Sequence, residues 1–276
     1  MKENNIIAER GHALFLTDSH AHLHFPPLAE DIPAVLRRAA EKGVRRILNI
    51  GTGLDDSRKA AEAAERYDGV YAAIGVHPHD ADNFSRRDIS KFEELFKLPK
   101  VIAVGEVGLD FYRNLSPPKA QEWVFAVMLD IAFARKLPVI IHSRDAATDT
   151  AMILRQMDTD NSVPIILHCF NGSDELLDFG INRGNVFFSF AGNLTYKKAE
   201  KITASLSQLS VDRILIETDA PYLAPHPLRG KDNEPSFIVH TAEFLAKNKN
   251  ITHDELALNL EKNFSGIFGS LDITCC

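Results

Sequence analysis

The sequence lacks any long hydrophobic run, and no stretch approaches the roughly 18 apolar residues that a membrane-spanning helix requires. Its first residues are polar and no signal-peptide core follows them, so no membrane association is predicted and a cytoplasmic location is expected. Proline-, glycine- or serine-rich linkers and low-complexity tracts are also missing. We therefore predict a single domain over 1–276, with 1–11 as a flexible or peripheral segment and 271–276 as a tail.

Cysteine and excess positive charge are scarce as well. The three cysteines, Cys169, Cys275 and Cys276, are too few for a disulfide framework or a four-cysteine zinc site. The terminal pair is typical of a functionless tail, with prenylation in a eukaryote as the alternative. Lysine and arginine number 31 against 38 acidic residues, a net charge of −7. This balance argues against a protein that coats duplex nucleic acid, although bound metal ions and a local basic rim can offset it at a site.

What the sequence does contain is a regular alternation of strand-like and helix-like segments. Eight short apolar runs of strand length are separated by helical patterns: Ala13–Leu16, Val44–Ile50, Val70–Val76, Val101–Val104, Val139–Ile141, Ile165–Leu167, Val186–Phe190 and Ile214–Ile216. Buried strands joined by helical crossovers indicate a parallel sheet. Eight such units favour an α/β fold of the single (β/α)₈ TIM barrel type over an open sheet, with an active site at the C-terminal rim of the strands.

Imidazoles and carboxylates follow the predicted strands at the points where the strands end. They are His20 and His22 after the first strand, His77 and His79 after the third, Glu106 after the fourth, His142 after the fifth, His168 after the sixth and Asp219 after the eighth. The C-terminal ends of barrel strands meet on one rim, so residues two hundred positions apart are expected to converge there.

Six of these side chains are predicted to hold metal: His20, His22, Glu106, His142, His168 and Asp219. Six ligands exceed the needs of one tetrahedral zinc and suit two divalent cations about 3.5–4 Å apart. Strand eight neighbours strand one in a closed barrel, so Asp219 is grouped with His20 and His22. The histidines of strands five and six form the other half, and Glu106 is the expected bridge. Zn²⁺, Mn²⁺, Mg²⁺ and Co²⁺ all remain open as the metal.

The neighbouring polar residues are given more ordinary roles. Asp18 shares the strand face of His20 and is predicted to orient one of the ligand histidines. Glu217 has the opposite parity to Asp219 and is predicted to face outward, toward a basic residue. The three remaining histidines of these segments, His12, His24 and His79, are interpreted as hydrogen-bonded loop residues.

The motifs together resemble the TatD-type metal-dependent deoxyribonucleases, a branch of the amidohydrolase-like barrels. The matching stretches are DSHAHL at 18–23, GVHPH at 75–79, GEVGLD at 105–110, IHSR at 141–144, LHCFNG at 167–172, ETDAPYL at 217–223, RGKDNEP at 229–235 and the segment 263–269. The resemblance implies the same six ligands in a two-metal site. Ala21 and Asn171 stand where the family commonly has Cys and Ser. No lysine occurs in Val101–Asp110, unlike the many amidohydrolases in which a carboxylated lysine bridges the metals.

The resemblance also implies an activity, namely 3′–5′ hydrolysis of single-stranded DNA by a cytoplasmic, monomeric enzyme. Glu106 and Asp219 are the predicted catalytic residues, with Asp219 as the general base that accepts a proton from water. The predicted substrate-binding residues are His77 as a phosphate ligand or acid, Arg113 and Arg144 as phosphate clamps, and Tyr222 as a base-stacking ring, with Phe111 and Tyr112 as further candidates for stacking.

Three alternatives share the sequence evidence. The same site would also suit a hydrolase of a small ester, amide or lactone, or a deacylase acting on aminoacyl-tRNA. A non-catalytic binding protein is disfavoured because every expected ligand is present. A panel of phosphodiester and lactone substrates distinguishes the enzymatic alternatives.

Overall fold

The computed structural model describes residues 14–158, 161 and 163–271, and these form an eight-stranded parallel sheet in the order of the sequence. The strands are β1 (Leu16–Ala21), β2 (Val44–Ile50), β3 (Val70–Ile74), β4 (Val101–Asp110), β5 (Val139–Arg144), β6 (Ile165–Leu167), β7 (Val186–Phe190) and β8 (Ile214–Ile216). Every consecutive pair is parallel. This confirms the predicted α/β class and strand order.

Helices connect the strands and surround the sheet. In the described part of the chain they are α1 (Ile32–Glu41), α2 (Leu54–Arg66), α3 (Ile89–Leu95), α4 (Pro118–Arg135), α5 (Ala147–Met157), α6 (Asp174–Gly180), α7 (Glu200–Gln208), α8 (Ile238–Lys249) and α9 (His253–Phe268). Proline at the first position of α4 and a Thr252–Glu255 capping box before α9 explain where these two helices begin. None of the described helices is long and apolar enough to cross a membrane.

The sheet closes where the chain beyond β8 meets β1. The Asp219 N–H donates to the His20 carbonyl at 2.9 Å, and the His22 N–H donates to the Ala220 carbonyl at 2.8 Å. Ala21 and Ala220 form a parallel bridge between these two bonds. The closure confirms the single (β/α)₈ barrel and brings the C-terminal ends of the first and last strands together.

The interior of the barrel is filled by side chains. One buried cluster contains Leu48, Ile50, Tyr71, Ala73, Ala103, Ile140, Ile166 and Leu215 from the strands, with Phe264 and Ile267 from α9. Asn263 of α9 donates hydrogen bonds to the carbonyls of Val211 and Ile214, so this helix covers the N-terminal end of the barrel. The packed interior leaves the C-terminal rim as the place for a site.

Three predicted strands differ from the observed ones in a way that matters for the site. β1 runs from Leu16 to Ala21 and so carries His20, whereas the predicted strand ended at Leu16. β4 continues to Asp110, six residues beyond the predicted end at Val104, and β5 continues to Arg144, so that it carries His142. Residues 1–13, including His12, and both terminal cysteines lie outside the described residues, as does most of the predicted tail.

Candidate metal centre

The first group of side chains forms where β1 meets the chain beyond β8. His20 and His22 are two residues apart and point to the same face, and both are buried. Their Nε2 atoms lie 3.7 Å and 3.5 Å from Oδ1 of Asp219. The three side chains can place one ligand atom each within 4.8 Å of the others, which is the spacing of a shared cation. The structure therefore brings together the trio that the sequence grouped.

Glu106 of β4 lies in the middle of the cluster. Its Oε2 atom is 3.4 Å from His20 Nε2, on the side of the first group. Its Oε1 atom faces His142 Nδ1 at 2.6 Å, His168 Nε2 at 3.3 Å and His77 Nε2 at 3.7 Å. The two carboxylate oxygens thus face different imidazoles, Oε2 that of His20 and Oε1 those of His142, His168 and His77, as a ligand shared by two cations would need.

Three of the histidines point one ring nitrogen at an oxygen outside the cluster. These contacts are His22 Nδ1 to the Ile50 carbonyl at 2.9 Å, His168 Nδ1 to Glu217 Oε1 at 2.7 Å and His142 Nε2 to Asp110 Oδ2 at 3.2 Å. A neutral imidazole that donates from one nitrogen has a lone pair on the other. In each ring that second nitrogen faces Glu106 or Asp219, which is the orientation of a metal ligand held by an outer partner.

His77 has the opposite orientation. Its Nδ1 atom accepts a hydrogen bond from the His79 N–H at 3.1 Å, so the proton of the neutral ring is on Nε2. Burial lowers the pKa of His77 to about 3, which keeps the ring neutral. His77 can supply a ligand atom near those of Glu106 and His142. Its hydrogen bonding nevertheless favours a donor facing the centre, so its predicted role toward substrate stays a prediction.

The histidines and carboxylates of the cluster shift one another's pKa. Burial alone would raise the pKa of Glu106, but His168, His77 and His142 around it hold that pKa well below its usual range. Burial also opposes ionisation of Asp219, yet the hydrogen bond from His22 and the charge of His168 lower its pKa. Burial lowers the pKa of His168, but Glu217 and Glu106 outweigh it and raise that pKa, so a cation bound at this ring would displace a proton from it. Both central carboxylates are therefore ionised at neutral pH.

These residues fit a centre for divalent cations. Both ring nitrogens of His20 are buried without a hydrogen-bond partner, a costly arrangement that a cation at Nε2 would relieve. Within the described ranges, no lysine or arginine forms an ion pair with Glu106, Asp110, Glu217 or Asp219, whose ion-pair contacts are with histidines. Imidazole nitrogens combined with carboxylate oxygens are the ligands expected of Zn²⁺ or a similar transition metal.

Asp110 is a buried carboxylate of the site to which the sequence assigned no role. Its Oδ2 atom contacts His142 Nε2 and, at 2.9 Å, His79 Nε2. Gln121 of α4 fixes the backbone of Asp110 by accepting from its N–H and donating to its carbonyl. Asp110 lies four residues after Glu106 on the same face of β4, so strand parity would have found it had the predicted strand reached that far.

The prediction for Glu217 was wrong, and Asp18 positions His20 through the backbone, since the His20 N–H donates to its Oδ1 atom at 3.3 Å. Glu217 is fully buried and faces His168, and its Oε1 atom accepts from the Cys169 N–H at 2.8 Å. The parity argument failed because β8 ends at Ile216 and the following residues leave the strand conformation. Asp18 accepts from the N–H and hydroxyl of Thr218, at 2.9 Å and 2.6 Å, and contacts no histidine ring. It connects β1 to the segment beyond β8.

The predicted substrate-binding residues lie around the opening of the cluster. The guanidinium of Arg144 stacks 3.9 Å from the ring centroid of Tyr112, which is 61% exposed. Arg113 is exposed, and its backbone N–H donates to Asp110 Oδ1. Tyr222 is 53% exposed, with its ring centroid 6.3 Å from that of His22.

Three other aromatic and histidine side chains have structural surroundings. Phe111 is half-buried and packs against the core. His79 hydrogen-bonds to Asp110, and His24 is 3.2 Å from the side-chain oxygen of Asn49. Both histidines are hydrogen-bonded residues beyond a strand end, as expected, although His79 is also a neighbour of the cluster through Asp110.

A closed parallel barrel whose rim gathers imidazoles and buried carboxylates defines a class, the metal-dependent hydrolases of the TIM-barrel type. The family model described as TatD related DNase matches residues 17–269 of the chain. The chain belongs to this family and is a metal-dependent hydrolase, which confirms the resemblance seen in the sequence.

Known relatives are similar over most of their length. The uncharacterized metal-dependent hydrolase YabD of Bacillus subtilis is 40% identical over 253 residues, covering 92% of this chain and 98% of YabD. The 3′-5′ ssDNA/RNA exonuclease TatD of Edwardsiella piscicida is 36% identical over 223 residues, covering 79% and 85%. The crystal structure of YJJV, a TatD homologue from Escherichia coli, superposes with a TM-score of 0.84 at 29% identity, covering 93% and 98%.

Proposed function

We propose that this protein is a two-metal 3′–5′ exonuclease that hydrolyses phosphodiester bonds in single-stranded DNA. The observation that carries the proposal is Glu106, whose Oε2 atom faces His20 while its Oε1 atom faces His142 and His168. The similarity to the 3′-5′ ssDNA/RNA exonuclease of Edwardsiella piscicida supports the substrate and the polarity.

The residues divide between two cation positions that share Glu106. One position would be held by His20, His22 and Asp219, whose ligand atoms can converge on one cation. The other would be held by His142 and His168, which both face Glu106 Oε1. Divalent cations bound there supply charge stabilisation for the phosphodiester transition state and acidify water. The outer partners Asp110 and Glu217 would keep the ligand rings in place.

The chain's own groups have separate tasks in this reaction. Asp219 is the general base, because its ionised carboxylate is at the edge of the cluster and can accept a proton from water. His77 would donate its Nε2 proton in a hydrogen bond to a phosphate oxygen. Arg113 and Arg144 would contact phosphate from the rim, where a guanidinium offers two parallel donors. Tyr222 would stack on a base.

The test replaces the shared carboxylate. We expect Glu106→Gln to reduce metal-dependent cleavage by more than about 100-fold, because the substitution removes a charge that both cation positions need. The assay follows single strands labelled at the 3′ or the 5′ end, as DNA and as RNA, with Mn²⁺, Zn²⁺, Mg²⁺ or Co²⁺. Glu122→Gln, an exposed change on α4, is the matched control and should behave as wild type.

The outcomes separate the proposal from its alternatives. Full activity in the Glu106→Gln variant contradicts the two-metal scheme. Loss of a 5′ label before a 3′ label contradicts the polarity. Failure of wild type to cleave any strand with any of the metals, together with turnover of a lactone, an ester or an aminoacyl-tRNA, replaces the nuclease with one of the other hydrolases.

A further inference from the structure

Four exposed cations gather on the loops that follow β7 and β8. They are Lys197, Lys198, Arg229 and Lys231, called here the cationic rim patch. None of the four has an ion-pair partner among the residues that the structure describes. In the two short stretches 197–200 and 229–232, Glu200 and Asp232 are the acidic residues, so the four cations outnumber them two to one there.

Several cations elsewhere on the surface are held in ion pairs. Four pairs on α2, α3 and its flanking residues join a basic side chain to an acidic one three residues earlier: Arg58–Asp55, Lys59–Asp56, Lys91–Asp88 and Lys97–Glu94. The chain as a whole carries a net charge of −7. Four cations on two joined loops therefore form a local positive patch on an acidic molecule, and such a patch favours an anionic partner there.

The two loops that carry the patch are joined into one surface. The Tyr196 hydroxyl donates to the Ala224 carbonyl at 3.0 Å, and the His226 N–H donates to the Thr195 hydroxyl at 2.7 Å. The guanidinium of Arg229 stacks 4.4 Å from the ring centroid of Tyr196. This stack leaves an aromatic ring and a positive charge side by side, which is the pairing that single-strand binding surfaces use.

The chain beyond β8 links the patch to the metal centre. Tyr222 precedes Arg229 in this loop, is 53% exposed, and has its ring centroid 6.3 Å from that of His22. The buried side chain of Asn233 donates to the carbonyls of Thr218 and Tyr222, at 2.8 Å and 2.6 Å. Asn233 thereby fixes both ends of the loop that begins beyond β8 and presents Arg229.

We propose that the cationic rim patch binds backbone phosphates of a single strand several nucleotides away from the scissile bond. The inference rests on the proposed nuclease function and adds to it a distal subsite on the side of the barrel opposite Arg113 and Arg144. The enzyme then prefers strands of several nucleotides over a dinucleotide, and this preference weakens as salt rises, because each phosphate contact releases condensed counterions.

The experiment removes Lys197 and Lys198, two exposed charges that form no ion pair with the described residues. Holoenzyme of wild type and of the Lys197→Ala/Lys198→Ala double variant is titrated with a phosphorothioate strand of about 12 nucleotides, a length within the range for single-strand sites. Each lost phosphate contact lowers the slope of log Kd against log salt by about 0.7. Over a tenfold rise in salt, wild type should therefore lose about 25-fold more affinity than the variant.

A kinetic comparison and a matched control complete the test. The ratio of kcat/KM for the long strand to kcat/KM for a dinucleotide should fall in the variant by on the order of tenfold at low salt. The control is Lys42→Ala/Lys247→Ala, which removes two exposed charges at the C-terminal ends of α1 and α8, away from the rim that carries the patch. It should keep the wild-type slope and the wild-type ratio.

The possible results distinguish this inference from the proposed function. A wild-type slope and ratio in the Lys197→Ala/Lys198→Ala variant would overturn the distal subsite, while cleavage of both substrates would leave the nuclease in place. A slope lowered equally by the control variant would also overturn it, since the effect would then come from overall charge. Absence of cleavage by wild type on either substrate counts against the nuclease itself.

Discussion

Glu217 determines which nitrogen of His168 faces the centre. Its carboxylate lies 2.7 Å from Nδ1, so Nε2 is left to face Glu106 at 3.3 Å. Asp110 has the corresponding position beside His142, and the Ile50 carbonyl beside His22. The site therefore has two layers: inner side chains that face the centre, and outer oxygens that orient the inner histidines.

Replacing Glu217 tests the outer ring. We expect Glu217→Ala to weaken metal binding by about 10–100-fold, because His168 loses the acceptor that fixes its orientation. Glu217→Gln keeps an oxygen at that position and should recover part of the affinity. The measurement is competition for the metal against a chromophoric chelator, with thermal unfolding as a check that each variant is folded. Metal affinity in Glu217→Ala equal to that of wild type would show that His168 is oriented without it.

At the scale of secondary-structure elements, β4 and β5 do most to position the second half of the site. Glu106 and Asp110 lie four residues apart on one face of β4, on either side of Gly108. A Cβ atom at Gly108 would lie 2.0 Å from the carbonyl oxygen of His142, and the residue has a φ of +142°. Only glycine allows the two strands to approach this closely. The approach places His142 between Glu106 and Asp110.

Gly108→Ala is expected to damage stability and the site together. Overpacking of this kind costs about 1–3 kcal/mol, which corresponds to a fall in Tm of roughly 3–10 °C in a chain of this size. Cleavage should fall as well, because His142 must move. Thermal unfolding and the nuclease assay measure the two effects. Gly184→Ala is the control, since a Cβ atom there meets nothing within 4 Å. An unchanged Tm in Gly108→Ala would refute this account of the strand pair.

The same elements show what the sequence could and could not predict. His20, His142 and His168 were found because each follows an apolar run, and this signal is local in the chain. Asp110 was missed because Gly105 and Gly108 made β4 look shorter than it is. The orientation of Glu217 depends on where β8 ends and on its contact with His168, which is 49 positions away. Contacts between distant segments leave no local pattern.

At the scale of the whole molecule, closure of the barrel is what creates the centre. The proposed ligands come from the ends of β1, β4, β5 and β6 and from the chain beyond β8, and they meet only because the first and last strands join. The opposite end is closed by α9, where Arg46 lies between the rings of Phe15 and Phe264 and pairs with Glu261. One end of the barrel is thus closed by a helix, and the reactive groups lie at the other end.

Metal binding should consequently stabilise the whole fold, and the dependence of this stabilisation on metal concentration should show how many ions are bound. A ligand that binds only the folded state adds about 2.7 kcal/mol at one hundred times its Kd, which raises Tm by roughly 5–10 °C. Beyond saturation, each bound ion adds about 1.4 kcal/mol for every tenfold rise in its concentration. Two ions therefore give about 2.8 kcal/mol per decade, and one ion gives half of that.

Thermal unfolding in chelator and across a series of Mn²⁺ concentrations measures this slope. Glu106→Gln is the informative comparison, because Glu106 faces both groups of imidazoles and its loss should weaken both ions at once. Metal-induced stabilisation should then shift to much higher Mn²⁺ concentrations in this variant. A wild-type slope near 1.4 kcal/mol per decade would indicate a single ion, and Glu106 would then be a ligand of one cation and not a bridge. A Tm that does not respond to Mn²⁺ at all would mean that this metal does not occupy the centre.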